Sequence, residues 1–494
     1  MKKLTALIFI VFTLGIIIQI GCDGKKKVIP AVANSITPVP LPIKVPGFVF
    51  PEDSTVINGW INDKKFAPTN YDEESVYKHA WGIWAGLTAP SGQKFAGNDL
   101  LVYETWLGLG EVQQLISDKN TQGGCEGASF KRNGRALLSR PKQFEHAARF
   151  AGKKAAEAFD EAAVNFWVTV AYSPDAACYA TQNQIFRQSV INKYYKPDGL
   201  GAIPEFPNKS LTLKPSYMVY AQSDPLYKLP VWLTAPNPPD SAFFGAAQNY
   251  VYVDRFNKQP AGKVAVPVGG SETDPAKIAA ATINLNEFIY LTVDQEMANY
   301  MNQQDSIQGL NNTSTGGGRA VKGQIALLVA MHVTTKEISN WTWQSYYWTP
   351  NRDQPGAPSS NVAASLRPKE ITGAAANYAC VAAYVMLTPN NAANNDPNAG
   401  SIFGYNPYLE GGFGPSTFTY PNTPNKSFKW GQQSNCMSCH ALAIPNPTGQ
   451  YTTDQTIDLR GPYFKNQVSL DFAWSIQTAL IKDAEPYWIM FNKK

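Results

Sequence analysis

The segment "GQIALLVAMHVTTKE", residues 323 to 337, is a long run of apolar and β-branched residues. Such a composition is typical of a buried β-strand. The aromatic segment "WTWQSYYW", residues 341 to 348, follows it closely and alternates aromatic with polar side chains at its start. We therefore expect the two segments to form neighbouring antiparallel strands.

Other strand-like runs lie earlier in the chain. They are "FWVTVAY" at residues 166 to 172, "SLTLKPSYMVYA" at residues 210 to 221 and "GKVAVPVGG" at residues 262 to 270. Segments rich in Asn, Pro and Gly, such as residues 311 to 318 and 388 to 400, lie between the predicted elements. Because these residue types favour turns, we expect long irregular connections between the strands.

Two stretches show a helical pattern. Residues 143 to 161 are rich in alanine and place apolar residues at helical spacing, which predicts a helix. A similar pattern, "ACYATQNQIFRQSVINKYY", begins at residue 177 and predicts a shorter helix. Together the patterns indicate an α+β fold: a mainly antiparallel β-sheet core with several helices and long irregular loops.

The composition limits the class of protein. The chain has 494 residues, of which 44% are hydrophobic, so it can bury a large core without disulfide bonds. Charged residues make up 16%, and the net charge of +4 is spread thinly. A nucleic-acid partner is therefore not expected.

The N-terminus has the anatomy of a secretory signal: Lys2 and Lys3 precede an apolar run that ends just before Gly21 and Cys22. Residues 1 to 21 are predicted to be a lipoprotein-type signal peptide, with Cys22 lipidated, although Gln19 departs from the usual aliphatic residue. An uncleaved membrane anchor and plain secretion are the alternatives. All three place the body outside the cytoplasm, in the bacterial periplasm or at the cell surface.

The residues after the signal are rich in proline. Proline at this density prevents regular helix and strand pairing, so residues 22 to 50 are predicted to be an extended tether. Residues 51 to 300 are then a mixed α/β body, and residues 301 to 494 form a C-terminal part that carries the motif described next. The boundary near residue 300 has no linker sequence to mark it.

The segment "NCMSCHALA", residues 435 to 443, contains a CxxCH motif formed by Cys436, Cys439 and His440. Two thiols at this spacing can form thioethers with the two vinyl groups of one porphyrin, and the histidine can then ligate the iron. A zinc site would need a second ligand pair, and no other CxxC, CxxH or HxxxH is present. A redox dithiol would need a helix start in a βαβ unit, whereas loop-forming residues precede this motif. We therefore expect one covalent haem c, with His440 as the proximal ligand.

Met490 and His332 are the candidates for the sixth iron ligand. Only Met490 lies downstream of the motif among the methionines, and it is close to the chain end. His332, a single histidine in the apolar segment 323 to 337, is the best upstream alternative. A core histidine satisfied by a hydrogen bond is the simpler interpretation of His332, and an iron ligand or a distal acid–base residue is the other.

The remaining cysteines are Cys125, Cys178 and Cys380, an odd number once Cys22 is lipidated. One disulfide and one buried thiol is the simplest arrangement in an oxidising compartment. The sequence does not specify which two cysteines pair.

Several stretches together resemble one family of proteins. They are "YETWLGLGEV" at 103 to 112, "FPNKSLTLKP" at 206 to 215, "AMHVTTKEISNWTW" at 330 to 343, "NPYLE" at 406 to 410, "SNCMSCHALA" at 434 to 443 and "LDFAWSI" at 470 to 476. In this order they are similar to exported single-haem bacterial proteins of the cytochrome c family. The resemblance implies haem binding at Cys436, Cys439 and His440 and electron transfer, and it draws attention to His332 and Lys336.

These observations lead to three functional hypotheses. The first is an extracytoplasmic, membrane-tethered c-type cytochrome that transfers electrons to a redox partner protein or small molecule. The second is a haem enzyme, such as a peroxidase or small-molecule oxidoreductase, with an open iron site and His332 as acid–base group; the size of the body favours it. The third is a surface binding protein with a structural or sensory haem, suggested by twelve tryptophans.

Overall fold

The computed structural model describes residues 35–61, 71–117, 135, 137–141, 165–235, 249–260, 265–307, 319–386, 402–414, 430–447, 457 and 459–490. The chain divides into the units Met1–Ala33 and Asn34–Lys494, and all described residues belong to the second.

The strands of the described residues are, in chain order, β1 Pro90–Phe95, β2 Asn98–Leu101, β3 Leu107–Gly108, β4 Phe166–Val168, β5 Ala171–Tyr172, β6 Leu200–Ala202, β7 Leu211–Tyr220, β8 Leu226–Val231, β9 Asn249–Asp254, β10 Val268–Gly269, β11 Thr282–Asn284, β12 Tyr290–Thr292, β13 Ile325–Thr335, β14 Thr342–Trp348, β15 Tyr378–Ala382 and β16 Gln467–Ser469.

The α-helices of the same residues are α1 Ser54–Ile61, α2 Glu73–Leu87, α3 Leu109–Ser117, α4 Pro174–Gln182, α5 Gln188–Ile191, α6 Pro275–Ala280, α7 Gln295–Ile307, α8 Asn361–Ser365, α9 Cys436–Ala441, α10 Trp474–Thr478 and α11 Tyr487–Met490. None of the helices in the described ranges is long and apolar enough to cross a membrane.

The largest sheet is built around β13. Its strand order is β15-β14-β13-β7-β5-β3, with β12 also paired to β13 and β4 to β7. All of these pairs are antiparallel. The apolar segment and the aromatic segment are therefore neighbouring antiparallel strands, as predicted, and the α+β class is confirmed.

Three smaller sheets are present among the described residues. One contains β8, β9, β10 and β11, one is the hairpin of β1 and β2, and one pairs β6 with β16 in parallel. Strands β7 and β13 come from opposite sides of residue 300 and share one long ladder. The body and the C-terminal part therefore share one sheet across the predicted boundary.

The two faces of β14 meet different helices. Tyr346 stacks on Trp84 of α2, with ring centroids 4.4 Å apart. Trp343, three residues earlier, packs against His440 of α9 at 4.3 Å. Because side chains alternate between the faces of a strand, α2 and α9 lie on opposite sides of the sheet. The helix with the cysteine motif thus packs on the face of the sheet opposite to α2.

The described part of the predicted tether, residues 35 to 50, lies along the body. The Val39 carbonyl accepts a hydrogen bond from Trp106 Nε1 at 2.7 Å. Phe48 lies so close to Gly82 of α2 that a Cβ there would be 2.2 Å from its ring. The described residues 35 to 50 therefore pack against the body, with Val39 at Trp106 and Phe48 at α2, and residues 22 to 34 lie outside the described residues.

Two local predictions differ from the structure in detail. The helix predicted from residue 177 is interrupted between α4 and α5, where Gln184 adopts a left-handed backbone conformation with φ of 53°. The run 166 to 172 forms two short strands instead of one, since both pair separately with β7. The predicted helix at 143 to 161 lies outside the described residues, and of the run 262 to 270 the described part contains β10.

Candidate functional site

The cysteine motif forms a single helical turn, α9. Asn435 precedes it as the N-cap and accepts a hydrogen bond from the Ser438 backbone N–H at 3.2 Å. In a helix, positions three and four apart lie on one face. Cys436, Cys439 and His440 therefore share a face, and all three side chains line one cavity.

Asn435 also fixes the position of this turn. Its side chain is fully buried, and its Nδ2 donates to the carbonyls of Ile402 at 2.7 Å and Val385 at 3.3 Å. The Cys436 backbone N–H donates to the Gly404 carbonyl at 2.9 Å. A Cβ at Gly404 would lie 2.5 Å from Ala383 Cβ, so only glycine permits this close approach.

The hydrogen bonding of His440 fixes its tautomer. Its Nδ1 donates to the Phe472 carbonyl at 2.8 Å, and because a carbonyl can only accept, the proton of a neutral imidazole is on Nδ1. No described residue bonds to Nε2, which is left as the lone-pair nitrogen. Burial lowers the pKa of His440 to about 4, although the Phe472 hydrogen bond opposes this. The imidazole is thus neutral at pH 7, as iron ligation requires.

The backbone that presents the Phe472 carbonyl is strained. Asp471 and Phe472 have φ of 49° and 65°, and Trp341, on the same cavity wall, has φ of 60°. For residues with a Cβ the left-handed region costs about 1–2 kcal/mol each. Such strain persists only where surrounding contacts enforce it, and it concentrates at functional sites.

A buried ion pair holds this strained loop. Lys336 Nζ donates to Asp471 Oδ1 at 2.6 Å, and the two side chains are 2% and 7% exposed. The same Nζ donates to the Ser339 carbonyl at 2.7 Å. Asp471 Oδ2 accepts from the Phe206 N–H at 3.0 Å. Burial raises the pKa of Asp471, and Lys336 opposes that rise.

The cavity lies between α9 and one face of the main sheet. Alternate residues of three adjacent strands form the sheet wall: Thr212 and Lys214 of β7, His332 and Thr334 of β13, and Trp343 of β14. The cavity volume is about 190 Å³.

A polar cluster occupies the sheet wall. His332 stands opposite Lys214 in the ladder, and its Nε2 lies 3.2 Å from Glu410 Oε1. Burial alone would raise the pKa of Glu410, but His332, the Asn406 N–H and Lys214 outweigh it and hold the pKa below its usual value. Burial lowers the pKa of Lys214 to about 8, against the opposing charge of Glu410.

The two cysteines of the motif are not joined in a disulfide bond. Cys436 Sγ donates to the Gly404 carbonyl at 2.8 Å, and burial raises its pKa well above the ordinary value. A reactive dithiol has the opposite feature, a lowered thiol pKa. Across the described ranges, no group of three or more His, Cys, Asp or Glu side chains is arranged to hold a metal ion. These features favour neither a redox dithiol nor a zinc site.

The other predicted residues lie apart from the cavity or outside the described residues. Cys178 is disulfide-bonded, whereas Cys380 is a buried free thiol, which agrees with the prediction of one disulfide and one thiol. Cys22 and Cys125 are outside the described residues, and the side chain of Met490 is not described either.

Four cavity residues were not identified from sequence as site residues: Lys214, Glu410, Asp471 and Phe472. The stretches containing Glu410, Asp471 and Phe472 were noticed through the family resemblance, and Lys214 lies in the predicted strand at residues 210 to 221. A search with the chain against protein-family models, curated proteins and solved structures gave no match. A function for this protein therefore has to be inferred from the residues that line the cavity.

Proposed function

We propose that this protein is a c-type cytochrome that binds one covalent haem c in the cavity beside α9 and transfers single electrons outside the cytoplasm. The observation that carries the proposal is the state of His440. It belongs to a CxxCH turn, its Nδ1 is held by a backbone carbonyl, and its Nε2 is left as the ligating nitrogen. The proximal ligand of a covalently attached c-type haem combines these three features.

The residues around His440 fit a covalent haem. Cys436 and Cys439 lie on the same helical face as His440 and line the same cavity, where their thiols would form the two thioether bonds. The haem, when bound, supplies the one-electron couple of its iron. The strained backbone at Phe472 and the glycine at position 404 make the site specific for one arrangement of α9.

Residues that line the cavity would control the polarity and solvent access around the haem iron. Trp343 packs on the His440 ring and restricts its rotation. Trp474 Nε1 donates to the Cys439 carbonyl at 3.0 Å and covers the C-terminal end of the turn. Phe413 and Phe472 add apolar surface to the cavity, which lowers the local dielectric and limits contact with water.

A haem enzyme is the second candidate, and one observation favours it. The cavity that holds His440 also holds His332, Glu410 and Lys214, a set that an electron carrier does not need. The contact between His332 Nε2 and Glu410 favours an acid–base role for His332 over a role as sixth iron ligand. In a haem enzyme, His332 and Glu410 would accept a proton from a small substrate and return it.

Location and partner are proposed with the function. A protein with covalent haem is assembled outside the cytoplasm, which agrees with the predicted signal and with lipidation of Cys22. The redox partner would be a protein or small molecule in the periplasm or at the cell surface.

The attachment test uses Cys439→Ser in protein produced with haem maturation, and Cys380→Ser as the matched control. Cys380 is a buried free thiol outside the cavity. The Cys439 variant should lose most of the haem that survives denaturing electrophoresis, whereas the control should keep it. Equal haem staining in both variants, or none in the wild type, would refute the proposal.

Spectra separate the two candidates. Ferric and ferrous protein are recorded with and without carbon monoxide or peroxide, for the wild type and for His332→Ala. A six-coordinate, low-spin spectrum that neither ligand changes would exclude the enzyme. Carbon monoxide binding, with a peroxide reaction that slows in His332→Ala, would support it.

A further inference from the structure

We propose that Lys336 and Asp471 are positioning residues for His440. They hold the strained loop so that the Phe472 carbonyl stays in contact with His440 Nδ1, and they thereby set the orientation and donor strength of the imidazole. This inference rests on the proposed haem function, which assigns neither residue.

The contacts form one continuous chain to the imidazole. Lys336 follows β13 directly, so its backbone is anchored to the central sheet. Its Nζ binds Asp471 Oδ1 at 2.6 Å, and the next residue after Asp471 supplies the carbonyl that accepts from His440 at 2.8 Å. Thus a lysine at the end of β13 holds Asp471, whose neighbour Phe472 presents the carbonyl that accepts from His440.

The loop would not keep this conformation by itself. Asp471 and Phe472 are consecutive left-handed residues, a conformation that an unrestrained chain avoids. Asp471 is held at both oxygens, by Lys336 and by the Phe206 N–H. The two bonds orient the carboxylate, and they fix the peptide that follows it.

Stability alone is a weak explanation for the pair. A buried ion pair loses hydration at both charges, and apolar residues of similar volume are often equally stabilising. A role in fixing the position of the Phe472 carbonyl accounts better for the buried charges of Lys336 and Asp471. The affected property would be the basicity of His440, because a ligating imidazole becomes a stronger donor when its other N–H is hydrogen-bonded.

The test measures haem-loaded Lys336→Met and Asp471→Asn, the second being nearly isosteric in case the first does not fold. Both should show a raised reduction potential and altered ferric EPR g values, since a weaker imidazole donor stabilises ferric iron less. Lys336→Arg, which keeps the charge, should stay closer to the wild type than Lys336→Met. The matched control is Asp305→Asn, which weakens the partly buried Arg140–Asp305 pair away from the cavity.

The control should lose stability without a change in potential or g values. If Asp471→Asn and Lys336→Met keep the wild-type potential and g values, the inference is refuted while the haem proposal stands. If the wild type itself carries no covalent haem, the proposed function fails and the inference fails with it.

Discussion

Asn435 offers the sharpest test of how α9 is held. Its Oδ1 caps the turn at the Ser438 N–H, and its Nδ2 donates to the Ile402 carbonyl at 2.7 Å and, less closely, to the Val385 carbonyl. The side chain is fully buried, so water does not replace these bonds when they are lost. One amide therefore satisfies three backbone groups at the base of the site.

Two substitutions separate the roles of the amide. Asn435→Ala removes the cap, which costs about 1 kcal/mol, and leaves at least one buried carbonyl without its donor, which costs about 1–3 kcal/mol. We expect a total loss of roughly 2–4 kcal/mol in the free energy of unfolding. Asn435→Asp keeps a capping oxygen and adds charge at a helix N-terminus, yet it aims a carboxylate oxygen at two carbonyls. It should therefore be at least as destabilising as Asn435→Ala.

Denaturant unfolding, followed by tryptophan fluorescence, measures both variants. Asp274→Ala is the control, because the Asp274 side chain caps α6 through its bond to the Ala276 N–H at 2.9 Å. It should cost only about 1 kcal/mol. If Asn435→Asp were as stable as the wild type, the Nδ2 contacts would not hold α9, and the explanation given for its position would be wrong.

Two further outcomes are expected. Gly431→Ala should destabilise the protein by about 1–3 kcal/mol, because the added Cβ would lie 1.7 Å from the Glu410 carbonyl oxygen. The control Gly110→Ala in α3, where a Cβ would meet nothing within 4 Å, should be neutral or stabilising. Equal unfolding midpoints for the two variants would contradict the packing at Glu410. Since the folded pKa of Glu410 is lowered, its carboxylate stabilises the fold above the unfolded pKa, and this contribution is lost as pH falls through the folded pKa. The stability difference between wild type and Glu410→Gln should therefore shrink from pH 7 to pH 3, and a constant difference across that range would refute the assignment.

Much of this protein could be read from local sequence. The strands β13 and β14 follow from runs of apolar, β-branched and aromatic residues, whose preference for a pleated surface is a local property. The arrangement of the CxxCH motif also follows from local sequence. Its three side chains share a face because they are three and four positions apart in one helical turn, and no distant residue is needed for that.

The rest was decided by tertiary structure. Lys214 and His332 form a pair only because the ladder of β7 and β13 has one register, and a shift by one residue would turn both side chains to the other face. The acceptor of His440 is a backbone carbonyl 32 residues away, and any residue type supplies a carbonyl, so composition does not reveal it. Its position depends on left-handed backbone at Asp471 and Phe472, which only the contact with Lys336 and the surrounding fold enforces. The sequence by itself thus determined the CxxCH motif and its shared helical face, and the fold decided what surrounds that face, because register and backbone strain arise from contacts between distant segments.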